Sequence, residues 1–273
     1  MPELPEVETV KETLKKIVLN KKINNAIILY PNIIDTPIVD EFIDKIRNQK
    51  INDIKRRGKW LLFELDNYYL LSHLRMEGKY IIRNHGDVYD KHEHVVFELD
   101  DGSELRYKDT RKFGRMHLVK KSELDNCKVL NNIGKEPFDE NLNGQYLLDK
   151  YKTKKLPIKT VLLDQSIIAG IGNIYADEIL YLCNLNPLKK ASEITLTDAD
   201  KIILYTKEVL GKAIASGGTT IRSYESSEGV HGRFQQELLV HNKQNENCIN
   251  CKNKIVKIVV GGRGTYYCPE CQK

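Results

Sequence analysis

Four cysteines near the end of the chain constrain its fold more than any other feature. They are spaced Cys248-x2-Cys251-x16-Cys268-x2-Cys271 within the last 26 of 273 residues. Paired CxxC knuckles at this separation suit one tetrahedral Zn²⁺ held by four thiolates at about 2.3 Å. Four protein ligands leave no open coordination position, so the metal is expected to be structural. Between the knuckles, residues 254–260 and 265–268 read as two strands, with Gly261-Gly262-Arg263-Gly264 as the turn of a zinc-bound hairpin. A disulfide framework is the competing reading. Against it, the start Met1-Pro2-Glu3-Leu4-Pro5-Glu6 has no basic region followed by an apolar one. That pattern carries no export signal, and a reducing cytoplasm is the expected compartment.

Apolar residues make up 41% and charged residues 30% of the chain, ordinary for a globular protein. The longest uninterrupted apolar runs have five residues, 26–30 and 179–183. A membrane span needs about 20, so no membrane partner is expected. Net charge is only +5, but its distribution is uneven. Lys45 to Lys59 holds seven Lys or Arg against Asp53 alone, and Arg106 to Lys121 is a basic run broken only by Asp109. Basic clusters on a near-neutral chain predict a cationic face for phosphates.

Residues 5–18 predict an amphipathic helix, because Val7, Val10, Leu14, Ile17 and Val18 fall on one side. From residue 23 to about 119 the pattern changes to short strand-like runs at 26–30, 60–65, 68–71, 80–82, 94–99 and 116–119. After about residue 132 the texture is helical, with candidates at 142–152, 158–163, 174–183 and 198–215. Residues 216–233 form a long Gly/Ser/Thr-rich stretch without a period, as expected of a functional or a disordered loop and not of a structural connector. The fold class read from this is α+β and multidomain. An N-terminal helix and β-sandwich span 1–132, a helical domain 133–240, and the zinc β-hairpin 241–273.

Removal of Met1 would expose Pro2 as a secondary amine. An α-amino group titrates near 7.7–8.0, against about 10.4 for a lysine, so it is the better nucleophile at neutral pH and can form a Schiff base. Glu3 stands beside it as a general acid/base. At the other end, Arg263 in its Gly-rich turn is placed to reach a phosphate bidentately. His92 and His94 alternate along one predicted strand face, opposite Val95, Phe97 and Leu99.

Taken together, these residues resemble the formamidopyrimidine-DNA glycosylases, bacterial enzymes that excise oxidised purines. The likeness covers essentially the whole chain. It begins with Met1-Pro2-Glu3-Leu4-Pro5-Glu6-Val7-Glu8-Thr9-Val10 and continues with Arg56-Arg57-Gly58-Lys59-Trp60, Ser72-His73-Leu74-Arg75-Met76-Glu77-Gly78 and Lys91-His92-Glu93-His94-Val95. Asp109-Thr110-Arg111-Lys112-Phe113-Gly114, the stretch Ala169-Gly170-Ile171-Gly172-Asn173-Ile174-Tyr175-Ala176-Asp177-Glu178, Gly217-Gly218-Thr219-Thr220 and the zinc hairpin follow in order.

The resemblance implies a bifunctional glycosylase and abasic-site lyase working on damaged double-stranded DNA as a monomer, with one structural zinc and no small-molecule cofactor. Pro2 would attack the deoxyribose C1′ and release the base, and β- and δ-elimination would then nick the strand. Glu3 is the implied proton donor, with Lys59 and Arg263 near phosphate and sugar. Met76, Arg111 and Phe113 would fill the space left by the extruded nucleotide. His92, Lys154, Lys155, Lys159, Asn173 and Tyr175 are implied DNA contacts, the last two in a helix–two-turns–helix. The 216–233 loop, with Tyr224, matches a lid over the base. Departures from the family pattern are Arg75 in place of a usual Gly, Thr110 and Lys112 in place of Pro and Arg, and His241-Asn242-Lys243 in place of a Tyr-Gly-Arg/Lys run. Two other readings remain open at this point: the related endonuclease VIII-like glycosylases for oxidised pyrimidines, and a non-catalytic zinc DNA-binding protein.

Overall fold

A computed structural model describes residues 2–219 and 233–273. The chain forms two compact units, the first ending at Asn131 and the second starting at Asn132. The expected lid at 216–233 therefore lies mostly outside the described residues, and Tyr224 wholly so. Among the described residues no helix is long and apolar enough to cross a membrane.

The first unit opens with α1 (Leu4–Val18), followed by β1 (Ile23–Ile28), β2 (Ile34–Thr36), α2 (Val39–Ile46), β3 (Asp53–Arg57), β4 (Trp60–Glu64) and β5 (Tyr68–His73). Then come β6 (Lys79–Asn84), β7 (Glu93–Leu99), β8 (Ser103–Lys108), β9 (Arg115–Lys120) and the short α3 (Lys128–Asn131). The strands make a four-stranded sheet, β1-β7-β8-β6, and a five-stranded sheet, β2-β9-β5-β4-β3. Every pair is antiparallel except β2 with β9. Inward residues of both sheets, among them Phe63, Leu70, Val95, Phe97 and Tyr107, share one core with Leu14 and Val18 of α1. Burying each large apolar side chain contributes about 1.5–3 kcal/mol, and α1 presents Leu4, Val7, Val10, Leu14 and Val18 with none of their surface exposed. Helix α1 begins in a capping box, in which Glu3 and Glu6 each accept the other's backbone N–H.

Five elements of this unit escape the sequence patterns, the short β2 and α3 among them. Strand β3 reads Asp-Ile-Lys-Arg-Arg, α2 is a short helix, and β8 carries Glu104 and Arg106 as alternate residues. Both of those charged side chains are fully buried. The Arg106 guanidinium bonds to Glu104 at 2.7 Å and Glu93 at 2.8 Å, and to the carbonyl of Asp87 at 2.8 Å. The expected alternation on β7 is also absent: His94 is buried along with Val95, Val96 and Phe97.

The second unit contains α4 (Gly144–Tyr151), α5 (Ile158–Leu162), α6 (Asn173–Leu182), α7 (Leu196–Ala215) and the hairpin β10 (Val256–Val260) and β11 (Arg263–Tyr267). Thr195 and Asp198 form the capping box that starts α7. At the centre of the unit, a buried polar chain ties α5 and α6 to the segment before the zinc hairpin. The Lys159 ammonium donates to Asp177 at 2.5 Å and to the Asn173 carbonyl at 2.9 Å. The other oxygen of Asp177 lies 2.7 Å from Nδ1 of His241. The neighbouring Glu178 carboxylate accepts the backbone N–H groups of Leu239, Val240 and His241 at 2.7–3.0 Å.

Removing one member of a buried ion pair strands the other, at a cost of about 3–5 kcal/mol. Asp177→Asn should therefore lower the denaturation midpoint of the second unit strongly. Lys159→Met combined with Asp177→Asn should recover most of that loss. Additive losses in the double variant would show that the two side chains are not coupled.

Candidate functional site

In the first unit, the candidate catalytic residues sit at the head of α1 and in the β3–β4 turn. Pro2 is buried and Glu3 keeps only 2% of its surface. Lys59 follows Gly58, whose φ of +54° makes the tight turn, and is 6% exposed. A charged relay connects the helix to this turn. Arg56 donates to Glu8 of α1 at 2.7 Å and to the Gly58 carbonyl at 3.0 Å. Glu8 also pairs with Lys11. Burial alone would raise the Glu8 pKa, but its bonds to Lys11 and Arg56 hold it below the usual carboxylate value. Lys15 adds a second tie, to Asp53 of β3 at 2.6 Å.

Across the sheet, Trp60 pairs with His73 at the end of β5. Burial, and after it the charges of Arg75 and Lys59, push the His73 pKa down to about 3. The ring therefore stays neutral, and its Nδ1 accepts the Arg75 backbone N–H at 3.0 Å. This end of the sheet carries fixed cations beside an uncharged imidazole, a surface suited to an anion.

Met76, Arg111 and Phe113 lie on two turns that share one support. In the first turn, the Gly78 N–H donates to the Leu74 carbonyl at 2.9 Å. In the second, the Asp109 carboxylate, 1% exposed, accepts the N–H groups of Arg111 at 3.0 Å and of Phe113 and Gly114 at 2.9 Å. Both turns abut the phenol of Tyr107. A Cβ on Gly78 would lie 2.2 Å from its hydroxyl oxygen, and one on Gly114 1.8 Å, so only glycine fits at either place. Phe113 is 47% exposed, with the Arg111 guanidinium 4.8 Å from its ring centre. Met76 is half-buried. A large apolar ring facing water beside cations fits contact with another molecule better than a core role. His92 is half-buried, and its carbonyl accepts the Asp109 N–H. Nε2 of His94 donates to the Asp109 carbonyl at 2.7 Å. Tyr107 belongs to no motif. Asp109 opens the motif that runs to Gly114 and is the only acid in its basic run, but the sequence gives it no role.

The second unit places its candidates differently from expectation in two cases. Lys159 is not a surface cation: it is fully buried and its ammonium is used by Asp177 and Asn173. The side chain of Tyr175 is also fully buried, with its ring 5.7 Å from that of Phe234. Neither side chain can reach a ligand from there. Lys154 is partly exposed and pairs with Asp164 at 3.1 Å, while Lys155 is exposed. Asn173 opens α6, where the first N–H groups of the helix lack intrahelical partners. Its Nδ2 donates to the Gly264 carbonyl at 2.9 Å, and its buried Oδ1 has no partner among the described residues.

The hairpin turn is tighter than expected. Gly261 and Gly262 alone form it, with φ of +55° and +74°, as a two-residue turn with left-handed geometry requires. Arg263 is consequently the first residue of β11, paired with Val260, and is exposed. A Cβ on Gly261 would lie 2.6 Å from Thr160 Oγ1, so the turn sits directly on α5.

The four cysteine sulfurs converge within 4.8 Å of one another. Cys248 and Cys271 are 3.8 Å apart and Cys251 and Cys268 3.4 Å apart. Thiolates at 2.3 Å from a tetrahedral ion would be about 3.8 Å apart, so the residues fit one structural zinc and are not disulfide-bonded. Around them, the Tyr181 hydroxyl lies 3.2 Å from Cys248 Sγ. Gln272 links the Cys268 N–H to the Leu185 carbonyl, at 2.9 Å on each side. The metal cluster is thereby held to the end of α6.

Three family models match in sequence order: the formamidopyrimidine-DNA glycosylase N-terminal domain over residues 1–116, the formamidopyrimidine-DNA glycosylase H2TH domain over 133–225, and a zinc finger found in FPG and IleRS over 245–273. The formamidopyrimidine-DNA glycosylase of Oceanobacillus iheyensis is 50% identical over 273 residues, spanning all of this chain and 98% of the relative. That of Bacillus subtilis is 46% identical, spanning all of this chain and 99% of the relative. Among solved structures, a variant of Lactococcus lactis FPG in complex with a Fapy-dG containing DNA aligns over all of both chains with a TM-score of 0.93 and 37% identity. The Lactococcus lactis Fpg complex with an abasic site containing DNA aligns over 99% of each chain, with a TM-score of 0.91 and 36% identity. With its three parts matched in order and its relatives alike from end to end, the chain belongs to the formamidopyrimidine-DNA glycosylase family.

Proposed function

We propose that this protein removes oxidised purines from double-stranded DNA and then cuts the strand at the resulting site. The observation that carries the reading is the construction at the head of α1. Pro2 and Glu3 are buried there, and the Glu8–Arg56–Gly58 relay ties their helix to the turn bearing Lys59. After Met1 is removed, the Pro2 nitrogen bonds to the deoxyribose C1′ as the glycosidic bond breaks, and the base leaves with that electron pair and a proton. Opening of the sugar gives an iminium between Pro2 and C1′. Loss of protons from the sugar carbons then expels the 3′ and 5′ phosphates in turn. Glu3 moves protons at the sugar, and Lys59 and Arg263 bear on the phosphates that acquire charge.

Extruding a nucleotide costs a few kcal/mol. Met76, Arg111 and Phe113 offset it by occupying the vacated space, with an apolar wedge, a guanidinium and an aromatic ring. His92, Lys154, Lys155 and the amide of Asn173 at the α6 N-terminus hold the flanking backbone. Functionally the chain divides into residues 1–132, 133–240 and 241–273, the last stabilised by its zinc. It acts as a monomer in the cytoplasm, at the nucleoid.

Borohydride reduction in the presence of an 8-oxoguanine:C duplex should leave a covalent adduct on Pro2, and N-terminal acetylation should abolish it. A full-speed acetylated enzyme would sink the mechanism. Glu3→Gln should slow base release by about 10²–10⁴-fold. Preference for a thymine glycol:A duplex would instead favour the pyrimidine-directed relatives. Asp109→Ala, which strips the acceptor from three loop N–H groups, should weaken lesion-duplex binding while leaving the far-ultraviolet circular dichroism unchanged. Zinc content should be one ion per chain. Chelation or Cys268→Ser should abolish duplex binding together with the metal, and retention of binding by metal-free protein would refute the structural role.

A further inference from the structure

We propose that Arg75 is a DNA-contacting residue, its guanidinium binding a backbone phosphate of the duplex beside Met76. The inference deepens the glycosylase reading above and rests on it. Its starting point is a local conflict between backbone and side chain. Arg75 has φ of +55°, a left-handed conformation that strains any residue with a Cβ and that glycine adopts freely. Most other non-glycine residues in this conformation are asparagines, which tolerate it. Three are not: Arg75, Lys112 and Lys252. Lys112 has its ammonium 4.6 Å from the Tyr30 ring centre, and Lys252 donates to the Ile249 carbonyl at 3.0 Å. Arg75 is exposed, and its side chain makes no hydrogen bond, ion pair or ring contact among the described residues. Glu77, two residues on, does not pair with it. Folding therefore offers nothing in return for an arginine here.

The turn nonetheless holds the residue in place. The buried Leu74 precedes it, its N–H is bonded to His73, and the Leu74 carbonyl accepts the Gly78 N–H. Its charge acts on both His73 and His117, so it adds to the field that Lys59 sets up at this end of the sheet. Each strand of a duplex carries a phosphate for about every 3.4 Å of helix axis. A guanidinium next to a side chain inserted in the base stack is thus within reach of one. A strained residue without a structural partner points to function.

Arg75→Gly separates the two roles. Relief of the left-handed strain should leave the thermal midpoint unchanged or raise it by up to about 4 °C. Binding to a duplex with a tetrahydrofuran abasic analogue, and to the undamaged duplex, should weaken by a similar factor of about tenfold. The slope of log K against log salt should become shallower by about 0.9. Arg75→Lys keeps the charge and should keep the slope. The inference is overturned if wild-type protein binds and Arg75→Gly matches it in affinity and slope. A midpoint lowered by several degrees would overturn it too, by making Arg75 a structural residue. Should wild-type protein show no duplex binding, the glycosylase reading itself fails, and this contact with it.

Discussion

A carboxylate taken out of water must be given donors or a cation, and both units use that requirement to set their working segments. Leaving such a group unsatisfied costs several kcal/mol, comparable to the whole stability of a domain. The chain can therefore bury Asp109 only by folding Thr110–Gly114 around it. It can bury Glu178 only by bringing the backbone at 239–241 onto α6. Asp177 does the same for Lys159 and His241, and Glu93 and Glu104 for Arg106. In each case a polar group inside the protein specifies the path of a loop that apolar packing alone would leave undetermined.

This also decides which cations remain for a polyanion. Lys159 and Arg106 have the same formal charge as Lys155 and Arg111, but their charge is spent internally. Counting basic residues along the chain thus overstates the cationic face. Of the basic residues considered for the site, Arg75, Arg111, Lys112, Lys155 and Arg263 are exposed, and Lys154 partly so. The neutrality of His73 keeps a titrating charge away from Arg75 and Lys59 near pH 7.

Much of this was legible in the sequence, and what was hidden has physical reasons. The zinc cluster is readable because two CxxC pairs at this separation have few uses other than holding one metal ion. Helix α1 was readable because its apolar period is unbroken. Strand β8 was hidden because one of its buried faces is Glu104 and Arg106, which pattern reading assigns to water. Strand β3 was hidden because it is a charged sheet edge. The sequence offers Lys159 as a DNA contact because its partner Asp177 lies eighteen positions away and nothing local marks the pair. Arg263 was read at a turn tip because four consecutive turn-like residues do not reveal which two take positive φ. The motifs carry the candidate residues, whereas Tyr107 lies outside them and the positioning done by Asp109 and by the Glu8–Arg56 tie shows only in the fold.

In the base extrusion proposed above, positioning of that kind has an energetic purpose. Side chains that enter a base stack must repay unstacking with contacts made on arrival, and ordering their loops at that moment would consume the gain. Here the turn carrying Met76 and the turn carrying Arg111 and Phe113 are both seated on the hydroxyl of Tyr107, through Gly78 and Gly114. Tyr107 itself is fully buried, stacked edge-on against Tyr80, whose hydroxyl donates to Ser72 at 2.7 Å. The spacing of the two turns is thus inherited from the sandwich core. Their ordering entropy is met during folding, when hydrophobic burial supplies it, and not during DNA binding. A larger residue at either glycine would displace one turn relative to the other by the width of a methyl group. That shift would be felt at the tips, where Phe113 is exposed and Met76 half-buried, long before it was felt in the stability of the core.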